Sequence, residues 1–401
     1  MSGRAVTCAA LAALLLLCPG AARRAAGSAP LRSAAQQQEQ PAAQEEAGAP
    51  RVACAYAVGG VVRAELAGAA AEAYCFTSVP RAPAADSPDW MACGGARQLA
   101  VFKVDGDYYL WLRGTNGSVS EPYAVQVRSG FQYVVRAEGL TALTTPLADF
   151  LAGEGSSVEA LNAAIAQDVA AAGLYTRCGV VTAGVSLVSR LAGYGVSATY
   201  QGHGAYQDED DWGVNPDWGA RLANPTSDGN GTYYYTGMQC VAAIVWAYKQ
   251  AGVNLSNAGA GSHIGACGER EKAGDNRIAC DAARGGDIVQ NGGHYLMVVD
   301  RLDTDGDGAD DSYLTYEMNA PHLAFLVLTF RQVRYRTFYD MEAVFEDAGR
   351  LRDEARFWPG SYFIPQEALP AWLSDAQAAG GQRRALSRLL CALGLPAEGA
   401  A

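Results

Sequence analysis

The stretch "TYYYTGMQCVAAIVWAYKQAG", residues 232–252, decides how this chain is interpreted. A polar lead-in is followed by Cys240 and then by an apolar run that ends at Gly252. This pattern predicts a helix over residues 240–251, with Gly252 in the left-handed position that closes many helices. Unpaired N–H groups and the helix dipole stabilise an anion at a helix start. Cys240 is therefore a candidate thiolate nucleophile.

A cysteine nucleophile needs a base, and the chain has only four histidines. His294 stands out because it begins a predicted strand, 294–300, directly after the turn Asn291-Gly292-Gly293. The next predicted strand, "YLTYEMN", alternates between faces, so Glu317 and Asn319 point the same way. Either side chain can orient an imidazole that serves as the general base.

At these residues the chain resembles a known superfamily, the NlpC-like and CHAP (cysteine, histidine-dependent amidohydrolase/peptidase) enzymes. The E-x-N pair is closer to CHAP. The resemblance covers roughly residues 155–345, and the matching positions are Gly237, Cys240, Trp246, Ala247, Tyr248, Ala251, Gly252, Val253, Gly286, Asp287, His294, Glu317 and Asn319.

The resemblance implies an α+β, papain-like fold and cleavage of an amide bond in peptidoglycan. The bond is either within the stem peptide or between muramic acid and L-alanine. Carried over to this chain, Cys240 is the nucleophile, His294 the general base and acid, and Glu317 or Asn319 the orienting group. The resemblance implies peptidoglycan as the partner, and we expect the chemistry to require no cofactor.

The chain departs from the family pattern around the cysteine. Gln239 stands where the family has Asp, and Val241-Ala242-Ala243 replaces Ser-Gly-Phe. Gln239 can add a side-chain donor to the oxyanion hole. The family's aromatic Y-x-W-G-G stretch corresponds here to "TYQGHG", which contains Tyr200, and the aromatic cluster after it includes Trp212. We expect Tyr200 to contact substrate, and Trp212 either to contact substrate or to pack between loop and helix.

Two other functions fit the same residue order. One is a wall-binding or surface protein whose catalytic domain has decayed, with Cys240 as a buried or disulfide-bonded thiol. The other is a transglutaminase-like Cys-His acyl transferase. A reactive free thiol together with wall-lytic activity would distinguish an enzyme from the decayed wall-binding protein. Amine incorporation with release of ammonia would indicate the acyl transferase.

An acidic segment, "DTDGDGADD", lies between the two strands that carry His294 and Glu317. Asp303, Asp305 and Asp307 occupy alternating positions before Gly308, as in the first half of a calcium-binding loop. Leu314 stands at the twelfth position, where such loops have Glu, so Asp310 or Asp311 is the candidate closing ligand, and we take Asp311 with the three aspartates as the candidate set. The alternative is a solvated acidic hairpin tip without calcium.

The segments divide the chain into five parts. Residues 1–27 have the basic start, short apolar core and small-residue region of a signal peptide. Residues 28–50 predict a disordered linker and residues 51–150 a β-rich, possibly immunoglobulin-like accessory domain. Residues 151–370 hold the predicted catalytic domain and residues 371–401 a helical tail. We expect a secreted or cell-wall-associated bacterial protein without stable membrane insertion after signal removal.

Net charge and cysteine content bear on two further points, the nature of the partner and the presence of disulfide bonds. The net charge of −12 and the absence of a basic block argue against a nucleic-acid partner. Removal of residues 1–27 leaves eight of the ten cysteines, an even number for which disulfides are the default in an exported protein. We expect Cys267 to pair with Cys280, and Cys54 to pair with Cys75 or Cys93.

Overall fold

A computed structural model describes residues 48–136, 138–198, 213–214, 226–227, 233–234, 238–255, 276–319, 322–345 and 364–395. Several predictions fall outside these residues: the signal segment 1–27, linker residues 28–47, Tyr200, Trp212 and Cys267. The fold is mixed α and β, which confirms the α+β class at this level. None of the helices in the described part of the chain has the length and apolar character needed to cross a membrane.

The first part of the chain forms two small antiparallel sheets. The strand order is β1-β2-β5 in one and β4-β3-β6-β7 in the other. Their facing side chains, such as Val62 and Leu112, share one apolar core. The strands are β1 Arg51–Val58, β2 Val61–Ala67, β3 Ala71–Thr77, β4 Met91–Ala92, β5 Gln98–Phe102, β6 Gly106–Gly114 and β7 Tyr123–Val127.

The helices begin and end at residues that the sequence marks. Ser157 caps α2, accepting a hydrogen bond from the Ala160 N–H, and Gly173 follows the last helical residue. Thr176 caps α3 in the same way, through the Gly179 N–H. The helices are α1 Leu147–Gly153, α2 Val158–Ala172, α3 Arg177–Gly193, α4 Cys240–Gln250, α5 Phe330–Val333 and α6 Ala371–Ala392.

The second part of the chain is built on a six-stranded antiparallel sheet of order β12-β17-β13-β14-β15-β16. Its strands are β12 Arg277–Ile278, β13 Ile288–Asn291, β14 His294–Leu302, β15 Ser312–Asn319, β16 His322–Thr329 and β17 Thr337–Tyr339. Two short pairs complete the strands: β8 Thr141–Ala142 beside β9 Val196–Ser197, and β10 Thr226–Ser227 beside β11 Tyr233–Tyr234.

The two faces of this sheet bury different cores. Met297 and Tyr316 face the main core, which also contains the apolar residues of α3 and α4. Leu296 and Tyr313 face a smaller core with Val333 and with Phe338 of β17. The alternation predicted for residues 313–319 is therefore confirmed, because Leu314, Tyr316 and Met318 all lie on the helix side.

The three-stranded sheet also touches the helical layer. Val61 and Phe102, which pair across β2 and β5, belong to the main core with the helices. A buried ion pair joins the two parts, since Lys103 Nζ lies 2.8 Å from Asp300 Oδ1 and both side chains are 5% exposed. The described residues, from 48 to 395, belong to one compact unit.

The cysteine pairing differs from the prediction. Cys54 on β1 is bonded to Cys391 near the end of α6, while Cys75 and Cys93 are free thiols. The predicted pairing of Cys54 was wrong because β1 lies in a different sheet from β3 and β4, with α6 packed beside it. Cys280 is also a free thiol. Its expected partner, Cys267, lies outside the described residues.

Candidate active site

Cys240 is the first residue of α4, and its sulfur lies at the start of β14, an interior strand of the six-stranded sheet. Gln239 precedes it in an extended conformation, with φ −101° and ψ 172°. Three hydrogen bonds hold the buried helix in place: Trp246 Nε1 to the Gly213 carbonyl, Tyr248 Oη to the Gly286 carbonyl, and Tyr316 Oη to the Ala243 carbonyl. At the other end Gly252 has φ +87°, the left-handed conformation that the sequence predicted.

The hairpin between β13 and β14 places the start of β14 next to the Cys240 thiol. Asn291 pairs with His294, and Gly292 adopts φ +61° in the turn between them. Cys240 Sγ lies 4.0 Å from the Gly293 carbonyl oxygen. Hydrogen bonding from the His294 side chain and from the backbone N–H groups of Tyr295 and Val241 acts to lower the pKa of this thiol.

His294 is held from its other side by Glu317. His294 Nε2 lies 2.7 Å from Glu317 Oε2, and the carboxylate is only 4% exposed. Since Nε2 is engaged by Glu317, Nδ1 is the nitrogen left for the thiol. Asn319 is exposed and pairs with His322 across β15 and β16, and the described residues show no hydrogen bond between it and His294.

The electrostatics of the pair favour a charged form. Burial by itself would raise the pKa of the Cys240 thiol, but the hydrogen bonds from His294 and the Tyr295 N–H outweigh it, and that pKa is lowered. The hydrogen bond to Cys240, followed by that to Glu317, raises the pKa of His294 to about 9, against the effect of burial. A thiolate beside an imidazolium is therefore the favoured state near neutral pH.

The backbone N–H groups at the start of α4 lie beside the sulfur. The N–H groups of the first turn of a helix have no partner within it, and Cys240 and Val241 occupy that turn. Gln239 makes no side-chain capping hydrogen bond. The geometry thus brings together Cys240, His294, Glu317 and Gln239, and it leaves Asn319 outside the hydrogen-bonded group.

The acidic loop between β14 and β15 brings three of its four predicted ligands together. Carboxylate oxygens of Asp303, Asp305 and Asp307 lie within 4.8 Å of one another. Asp311 is not part of this group, and its carboxylate accepts a hydrogen bond from Thr304 Oγ1 at 2.7 Å. Oxygen donors of this kind suit a hard cation such as Ca²⁺.

Tyr295 was missed by the sequence reasoning, although it adjoins His294. Its N–H contacts the thiol sulfur, and its ring packs on the main core beside α4. A usable signal was present, since Tyr295 puts a hydroxyl on the apolar face of a strand that starts at the site.

A separate cavity of about 470 Å³ lies between β5 and the start of α3. It is lined by charged residues that include Lys103, Arg177 and Arg301, and by the free thiols of Cys75, Cys93 and Cys178. Its described lining includes none of the predicted site residues, and burial raises the pKa of Cys178 to about 11. The chemistry described above therefore does not depend on this cavity.

Comparison with known proteins identified no relative: no family model matches the chain, and no curated protein or solved structure is significantly similar to it.

Proposed function

We propose that this protein is a secreted cysteine hydrolase with a papain-like catalytic region, which cleaves amide bonds in peptidoglycan. The observation that carries the proposal is the arrangement of Cys240, His294 and Glu317, in which a thiol at a helix start is linked through an imidazole to a buried carboxylate. The residue pattern that resembles NlpC-like and CHAP enzymes supports the substrate class and the extracellular location.

The proposed chemistry follows from these contacts. The Cys240 thiolate attacks the amide carbonyl carbon, a C–S bond forms, and the carbonyl π electrons move to oxygen. Backbone N–H groups at the start of α4 stabilise the oxyanion. His294 then transfers its proton to the leaving nitrogen as the C–N bond breaks, and a thioester remains.

Hydrolysis completes the cycle with the same residues. Neutral His294 removes a proton from water, which attacks the thioester carbonyl, and the thiolate leaves as the product acid forms. Glu317 accepts the N–H of Nε2 throughout, so the ring stays oriented and its positive charge is stabilised.

Digestion of purified peptidoglycan with the mature protein tests the proposal, with mass spectrometry of the released fragments. We expect new amino and carboxyl termini with the wild type and none with Cys240→Ala. Cys93→Ala is the matched control, since Cys93 is also a free thiol but lies outside the site, and it should keep full activity. Equal digestion by Cys240→Ala and wild type would overturn the proposal, and so would release of ammonia with amine incorporation in place of hydrolysis.

A further inference from the structure

A row of three polar side chains extends from the nucleophile across the sheet. Tyr339 Oη donates a hydrogen bond to Gln290 Oε1 at 2.8 Å, and Gln290 Nε2 donates to Tyr295 Oη at 2.9 Å. The direction of both bonds is set, because an amide oxygen only accepts and an amide NH₂ only donates. Tyr295 Oη therefore receives a hydrogen bond, and its own proton has no acceptor among the described residues.

The row lies on the face of the sheet opposite to the base. Tyr295 shares its face with Met297 and packs against the main core, on the side of α4. Gln290 pairs with Tyr295, and Tyr339 pairs with Ile288, which also faces that core. His294 shares the other face with Leu296, so residues 294 and 295 direct their side chains to opposite sides of the strand.

Gln290 and Tyr339 lie on the opposite side of β14 from Glu317, the carboxylate that orients His294. In the sheet order β17-β13-β14-β15, Glu317 is on β15, whereas Gln290 and Tyr339 are on β13 and β17. Cys240 Sγ stands at the start of β14, between these two groups. All three residues of the row are partly exposed.

The protonation step of amide cleavage indicates which part of the substrate lies on each side of the Cys240 sulfur. The leaving nitrogen must lie at His294, because the imidazolium protonates it. The acyl portion of the substrate then leaves the thiol on the opposite side, over Tyr295. Burial and the nearby charge of Cys240 raise the pKa of Tyr295, so its hydroxyl keeps its proton while the thiol is ionised.

We propose that Tyr295 is a substrate-binding residue whose hydroxyl donates a hydrogen bond to the carbonyl or carboxylate oxygen nearest to the scissile bond on its acyl side. Gln290, supported by Tyr339, positions that hydroxyl. The substrate class is thus an acyl group that bears a peptide carbonyl or carboxylate next to the cleaved amide. The inference rests on the proposed function, because it requires Cys240 to act as the nucleophile.

Affinity alkylation tests this without requiring turnover. In a chloromethyl ketone the thiolate attacks the methylene carbon, a C–S bond forms, and chloride leaves. One reagent is N-acetyl-alanine chloromethyl ketone, whose amide carbonyl is the acceptor. The other is an alkyl chloromethyl ketone of the same length, in which methylene groups replace the amide. Peptide mapping gives the rate at which each reagent alkylates Cys240. The ratio of the two rates measures recognition of the acceptor carbonyl separately from the reactivity of the thiolate.

We expect Tyr295→Phe to lower that ratio about three- to tenfold, the range for one neutral hydrogen bond. The ring is retained, so packing is preserved, and the rate with the alkyl reagent should be unchanged. Gln290→Leu should lower the ratio less, since the hydroxyl remains but loses its positioning donor. Tyr335→Phe is the matched control because Tyr335 is 84% exposed and takes no part in the hydrogen bonds of the row, and it should leave the ratio as in the wild type.

The outcomes separate the two proposals. An unchanged ratio in Tyr295→Phe, with Cys240 still reactive, overturns the role of Tyr295 and leaves the proposed function standing. Equal slowing with both reagents also overturns it, because Tyr295 would then act through the thiol or through packing. A wild-type Cys240 that reacts with neither reagent contradicts the proposed function, and the role of Tyr295 falls with it.

Discussion

His294 Nε2 lies 2.7 Å from Glu317 Oε2, and this carboxylate is almost fully buried beneath the ring. Glu317 and Asn319 share one face of β15, and this contact identifies Glu317 as the residue that orients His294. It also determines which ring nitrogen faces the thiol. The raised pKa of His294 depends on it together with the hydrogen bond to Cys240.

Glu317→Gln should lower hydrolysis of peptidoglycan fragments by about 100-fold or more, because the amide carries no charge to stabilise the imidazolium. The alkaline limb of the pH–rate profile should also move to lower pH, since Glu317 helps to raise the pKa of His294. Asn319→Ala is the matched control from the same strand face, and it should change the rate less than about threefold. Equal losses in the two variants would contradict the assignment of Glu317.

The same pKa shift makes stability depend on pH. The pKa of folded His294, about 9, is above the ordinary value of 6.5, so its contribution to stability is complete below pH 6.5. That contribution is lost as pH rises from 6.5 through 9. The difference in free energy of unfolding between wild type and His294→Gln should therefore shrink over this interval, measured by urea denaturation at several pH values.

His322 supplies a control of opposite sign. Burial lowers the pKa of His322, so the folded state resists its protonation and its effect on stability appears as pH falls below 6.5. His322→Gln should gain stability relative to wild type on acidification. A His294→Gln difference that stays constant from pH 6.5 to 9 would contradict the charged pair.

Much of the frame around this site follows from local patterns in the sequence. The apolar run after Cys240 and the glycine at 252 specify α4, and the glycine turn at 292–293 specifies the start of β14. Alternation along residues 313–319 correctly separates the polar face from the core face. These signals are local, because each depends on residues a few positions apart.

What the sequence did not show depends on distant contacts. The partner of Cys54 is 337 residues away, and only the packing of α6 beside β1 brings the two together. The choice of Glu317 over Asn319 depends on the register of β14 against β15. Gln290 and Tyr339 come next to Tyr295 through pairing across three strands, which no short motif records.

The ion pair between the two parts of the chain should contribute strongly to stability. Asp300 accepts hydrogen bonds from Lys103 Nζ and from the Val104 N–H, and its charge raises the pKa of buried Lys103 against the opposing effect of burial. Lys103→Met leaves the carboxylate buried without a counter-charge, so we expect a loss of about 3–5 kcal/mol in the free energy of unfolding.

The control for that variant is the exposed pair of Arg136 and Glu138, whose charged atoms are 3.8 Å apart. Arg136→Met should cost less than about 1 kcal/mol. Urea denaturation measures both. A Lys103→Met variant as stable as Arg136→Met would show that the pair does not support the packing of the two parts.

The acidic loop predicts a response to calcium. If Asp303, Asp305 and Asp307 bind Ca²⁺, the ion stabilises the folded state by mass action, and the melting temperature rises with its concentration. Asp305→Asn combined with Asp307→Asn should abolish the rise. Glu138→Gln, an exposed carboxylate elsewhere, should keep it. Identical melting temperatures in excess Ca²⁺ and in chelator would contradict a calcium site.

The rate at which iodoacetamide labels Cys240 at pH 6, without reductant and followed by peptide mapping, tests the central claim most directly. A thiolate paired with His294 should react well above the rate of an ordinary thiol at this pH, and His294→Ala should lower the rate sharply. Cys93 provides the reference within the same sample, because it is free and burial raises its pKa. Labelling of Cys240 no faster than that of Cys93, or unchanged in His294→Ala, would contradict an activated nucleophile.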